Sequence, residues 1–141
     1  MEIDQHPDEG FIKKRDVLLP GLKHYYGDIT RKLFLLGGVL MLFFAPLYPD
    51  LLPVNNFFVI VGAIGLSVFA GITNSRQFWV NVADMILAVF LFTLFEVAVF
   101  QGYNGAEHGI SVVFLVRQGI ALIFFFTLYY SVKTLRGMIV K

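Results

Sequence analysis

FLFTLFEVAVFQGYNGAEHGISVVFLVRQGIAL, residues Phe90–Leu122, places two apolar runs around a short polar loop, with a full charge inside each run: Glu96 in the first and Arg117 in the second. So short a loop makes the runs an antiparallel hairpin. The hairpin centre falls between Ala106 and Glu107, and Glu96 and Arg117 are equally distant from it. They are therefore predicted to face each other at one depth. A charge in hydrocarbon is costly alone, so such residues pair or face water. Two readings follow. Glu96 and Arg117 form an intramembrane ion pair that clips two helices in register, or they form an ion or substrate site. The clip is the simpler reading, because buried pairs more often specify structure than carry chemistry.

Outward from the hairpin, the chain repeats the pattern. It has 141 residues, 57% of them hydrophobic and 15% charged. A soluble domain carries about 45–50% apolar and about 25% charged residues, so the balance points to a membrane rather than to an oversized core. The apolar residues collect in runs at 30–47, 54–73, 78–100 and 110–132. About 20 helical residues cross a hydrocarbon layer of about 30 Å. The last two runs are long enough with some tilt, and the first two are near the limit. The runs lack the strict alternation of barrel strands. Backbone in lipid must satisfy its own hydrogen bonds, which leaves helices. Pro46 and Pro49 in APLYPDLLP stop the first run. The predicted fold is an all-α integral membrane protein with four transmembrane helices in an up-down bundle. A segment at 1–29 precedes this domain and a tail at 133–141 follows it.

Basic residues orient the bundle. Lys13, Lys14, Arg15, Lys23, Arg31 and Lys32 precede or open the first run, Arg76 lies in TNSRQ, and Lys133, Arg136 and Lys141 follow the last run. The loops YPDLLPVNN and QGYNGAEHG hold no Lys or Arg. The positive-inside rule then puts both termini in the cytoplasm of a cell (inner) membrane, multi-pass. Trp79, Tyr129 and Tyr130 fall at the inner boundary and Tyr48 and Tyr103 at the outer one, as aromatic belts do. The first segment has no apolar stretch of signal-peptide type before the first span. FIKKRDVLLPGLKHYY mixes basic and apolar residues, and reads either as an interfacial segment on the inner leaflet or as a solvated leader.

Further polar residues inside the runs are the remaining site candidates. Asp84 is predicted opposite Tyr129, near Tyr130 and Lys133, with Asn81 one turn earlier on nearly the same face. This is either a satisfied polar cluster at the inner interface or a proton-titrating carboxylate. Asp84 and Glu96 are separated by about 18 Å along a helix and about 120° around it, which disfavours a proton wire along one stripe. Ala63, Ser67 and Gly71 put small residues at four-residue spacing on run two, a face for close helix packing against run one, or for a homodimer seam.

Other chemistry is not supported. The chain has no cysteine, which removes thiolate catalysis and disulfides. EIDQHPDEG clusters acidic residues with His6 but fixes no ligand geometry, so no metal site is expected. No phosphate-binding glycine loop, HExxH or Ser–His–acid arrangement occurs. The net charge of +1 carries no nucleic-acid signal. The expectation is a non-enzymatic membrane protein without cofactor. Its partners would be the lipid bilayer and either further copies of itself or a larger membrane protein. It would act as an accessory, scaffold or assembly partner. The alternative is a small ion- or proton-coupled channel or transporter using Glu96, Arg117 and Asp84.

Overall fold

The computed structural model describes residues 26–72, 77–104 and 111–140. The interfacial segment, the acidic cluster around His6, Arg76, and Glu107 and His108 of the loop at 105–110 lie outside the described residues. Those described form helices α1 (Gly27–Phe44), α2 (Asn56–Ile72), α3 (Phe78–Asn104) and α4 (Val112–Ile139).

The helix ends follow local chemistry. α1 closes with the Ala45 N–H donating to the Met41 carbonyl at 2.9 Å. Pro46, next in the chain, has no N–H to continue the ladder. Asn55 caps α2, its Oδ1 accepting from the Phe57 N–H at 3.0 Å. Ser111 caps α4, its Oγ accepting from the Phe114 N–H at 3.1 Å. α4 continues past the expected end at Val132 to Ile139. Tertiary contacts hold the added turns: the Thr134 hydroxyl accepts from the Tyr26 N–H at 3.2 Å, and the Lys133 ammonium sits 4.5 Å from the centre of the Tyr26 ring.

Packing joins α1 to α2, α1 to α4 and α3 to α4. The α1–α2 contact is close because Gly38 has no side chain: a Cβ there would lie 2.5 Å from Ser67 Oγ and 3.2 Å from the Ala63 carbonyl oxygen. On its other side α1 packs on α4, with the Phe34 and Phe124 rings 6.3 Å apart. Phe95 of α3 approaches the same Phe124 ring at 5.8 Å. Phe34, Phe95 and Phe124 are all fully buried and form a solid apolar layer across the bundle.

The buried face of α3 runs through Asn81, Asp84, Ala88, Leu91, Phe95 and Ala98, and that of α4 through Ile120, Phe124, Thr127, Ser131 and Thr134. The three-four spacing is that of a coiled-coil seam. Register is fixed where Arg117 Nη1 donates to the Ala98 carbonyl at 3.2 Å and Gln118 Nε2 donates to Glu96 Oε1 at 3.3 Å. Carried along the antiparallel pair, that register sets Phe95 opposite Ile120, Leu91 opposite Phe124, Ala88 opposite Thr127 and Asp84 opposite Ser131. The seam is apolar in the middle and polar towards the start of α3.

Within this four-helix arrangement α2 and α3 leave an apolar groove of about 480 Å³ between them, lined by Met41, Val59, Leu66 and Leu91 among others. The one buried stripe of α2 faces α1, and Gly62 and Gly65, beside the groove, have no side chains with which to reach across it. α3 and α4 are long and apolar enough to cross a membrane, and less than a third of the apolar stretch of each is buried. Their outward surface is dominated by exposed large apolar residues such as Phe90, Phe100, Leu115 and Phe126.

Candidate functional site

Two arginines hold main-chain oxygens. Arg117, on the second turn of α4, donates from Nε to the Leu51 carbonyl at 2.8 Å and from Nη2 to the Asp50 carbonyl. Its Nη1 reaches the Ala98 carbonyl of α3 at 3.2 Å. The connection between α1 and α2 explains the need. Pro49 and Pro53 offer no N–H, while Leu51 and Leu52 turn inward and are buried. The segment therefore presents carbonyls in excess of donors, and a guanidinium supplies five N–H groups. Gly102 makes room, since a Cβ there would run into Arg117 Nη1.

The clip expected between Glu96 and Arg117 joins two residues whose described hydrogen bonds go elsewhere. Among the described residues Glu96 accepts a hydrogen bond from Gln118, while Arg117 binds the carbonyls named above. A carboxylate is one of two partners open to a buried arginine; backbone carbonyls are the other.

Arg31 repeats the device at the opposite end of α2. Its Nε donates to the Ala70 carbonyl at 2.7 Å and its Nη2 to the Gly71 carbonyl at 2.9 Å. These are among the last carbonyls of α2, which have no partner within the helix, and a cation there also meets the negative end of the helix dipole. Of the small-residue face, Ala63 is buried and Ser67 lies against Gly38. Gly71 does not pack: a Cβ there would meet nothing within 4 Å among the described residues, and its contribution is the carbonyl that Arg31 takes.

The third feature is the polar end of the seam. Asn81 and Asp84 are buried in α3, and Thr127, Ser131 and Thr134 in α4. Asn81 Nδ2 donates to the Gln77 carbonyl at 3.0 Å and reaches Met138 Sδ at 3.8 Å. Thr127 and Thr134 donate to the carbonyls of Ile123 and Tyr130, each at 2.8 Å. Asp84 Oδ2 and Ser131 Oγ are buried and accept or donate nothing within the protein. Among the described residues, Arg31 is a cation near enough to act on Asp84.

The phenols do not serve Asp84 as expected. Tyr129 is 52% exposed on the outer face of α4, and Tyr130 packs its ring 5.5 Å from that of Tyr26. The register set by Arg117 and Gln118, carried along the seam, puts Ser131 at the level of Asp84, two residues from the position counted from the middle of the loop. The spacing of Thr127, Ser131 and Thr134 on α4 was the available signal, since small hydroxyl residues on one stripe of an apolar helix face a neighbour.

No family model, curated protein or solved structure matches this chain.

Proposed function

We propose that the protein is a multi-pass protein of the cell membrane with both termini in the cytoplasm, acting as a non-enzymatic accessory or assembly partner of a larger membrane protein. All four helices are taken to lie in the bilayer, α1 and α2 with little length to spare. The distribution of Lys and Arg supports the orientation. The observation that carries the reading is the environment of Arg117. The charge best placed to serve a permeation path is bound to the carbonyls of Asp50, Leu51 and Ala98, which makes it part of the framework.

The test has two arms. A photo-crosslinking amino acid is placed in turn at the outward positions Phe57, Phe100 and Phe126 in native membranes. One defined protein adduct, identified by mass and confined to one face, is expected. Vesicles holding the purified protein are expected to show no ion flux above empty vesicles. Lipid adducts alone at every position, or an ion flux carried by the purified protein, would overturn the reading. The second reading, a small ion- or proton-coupled channel or transporter, draws on the unpartnered oxygen of Asp84 and predicts that flux.

A further inference from the structure

We infer that the polar end of the α3–α4 seam binds a small monovalent cation, with Asp84 Oδ2, Ser131 Oγ and Thr127 Oγ1 as its protein ligands. Asp84 is 2% exposed and Ser131 fully buried, and neither Asp84 Oδ2 nor Ser131 Oγ has a hydrogen-bond partner in the protein. A buried carboxylate oxygen and a buried hydroxyl left in this state each cost free energy. The seam register places them opposite each other on facing helices. Thr127 is one turn from Ser131 on the same stripe, and its hydroxyl hydrogen goes to the Ile123 carbonyl, which leaves its oxygen as an acceptor. The set is one carboxylate and two neutral hydroxyls, the oxygen donors that hard cations take.

Charge selects the class. Among the described residues no group of three or more acidic, His or Cys side chains gathers, so a divalent ion would keep most of its charge uncompensated in a low-dielectric layer. A single positive charge balances Asp84. Among the described residues, the cation that acts on Asp84, Arg31, is held by the carbonyls of Ala70 and Gly71. It moderates the field at Asp84 without forming a hydrogen bond to it.

The site is a dead end. On the side towards Arg117 the seam is closed by Phe34, Phe95, Phe124 and Ile120, each at most 1% exposed. An ion that enters from the end of the bundle holding Asn81 and Thr134 has no polar path onward. The cation therefore neutralises and cross-links α3 and α4 rather than passing through, which goes beyond the assembly role proposed above and does not require it.

The experiment is thermal unfolding of the full chain in detergent at fixed pH, with sodium replaced by choline at constant ionic strength. Sodium is expected to raise the melting temperature by about 5 °C at saturation, since a ligand that binds only the folded state stabilises it by mass action. Asp84→Asn, which keeps the shape and removes the charge, should abolish the sodium effect while folding normally in choline. Ser131→Ala should raise the sodium concentration needed for half the effect about tenfold. Equal melting in sodium and choline would overturn the proposal. So would an undiminished sodium response in Asp84→Asn, or a stability that follows pH alone, which would give the carboxyl a proton in place of the ion.

Discussion

The two ends of the α3–α4 seam treat an ionic group in opposite ways, Arg117 being half-buried and Asp84 buried. At one end Arg117 meets a connection rich in carbonyls and is bound by the backbone on two sides. At the other, Asp84 faces side chains that leave one of its oxygens without a partner. Backbone can satisfy a buried cation wherever a helix ends or a proline interrupts, because the loose groups there are oxygens. A buried anion needs N–H or O–H donors, and an unbroken helix such as α3 has none to lend. The asymmetry makes the arginine a structural element and the aspartate a place for something else to bind.

The largest expected effect breaks the Arg117 end. Arg117→Leu should lower the unfolding free energy by about 2–4 kcal/mol, because hydrogen bonds from a charged group contribute about 1.5–3 kcal/mol each and two or more carbonyls would lose their donor. Arg117→Lys should recover only part, since an ammonium cannot span the same set of acceptors. Reversible unfolding in mixed micelles measures both. A leucine variant as stable as the parent would mean the carbonyls are satisfied without it.

A smaller effect separates the two glycines on the α1–α2 side. Gly38→Ala should cost about 1–3 kcal/mol, since the added methyl meets Ser67 and the backbone of Ala63. Gly71→Ala should be neutral or stabilising by up to about 1 kcal/mol, because alanine favours helix and meets nothing there. The same unfolding assay reads both; equal losses would place Gly71 in a contact.

The smallest effect sharpens the contrast at the Arg117 end itself. Glu96→Gln should change stability by no more than about 0.5 kcal/mol, and its effect should add to that of Arg117→Leu, as expected for residues without a shared interaction. A coupling above about 1 kcal/mol in the double-mutant cycle would restore the ion pair between them.

The helices were legible in the chain because apolar runs and prolines act locally, and Pro46 follows the end of α1 as expected. That Arg117 sets a charge within an apolar run was also legible. Its partners were not, because main-chain carbonyls carry no letter in a sequence; the clue was a connection with Pro49 and Pro53 and few donors. Asp84 could be found from its charge. Ser131 could not be matched to it by counting from a loop centre, because α3 and α4 do not begin and end symmetrically about that centre. The open groove was illegible for a third reason: alternation of apolar runs says which segments are helices, and nothing about which two neighbours pack loosely.

That groove has a mechanical consequence. Helices joined as α2–α1–α4–α3 form a row, and a row comes apart from its ends in a way that a ring does not. α2 is fastened along one side, at Gly38, at its last turn by Arg31, and through the connection that precedes it by Arg117. Under harsh detergent or a pulling force it is the element that leaves first, with the arginine fastenings yielding before the helix itself. α3 and α4, zipped along their whole length, remain as the unit from which the rest can be rebuilt.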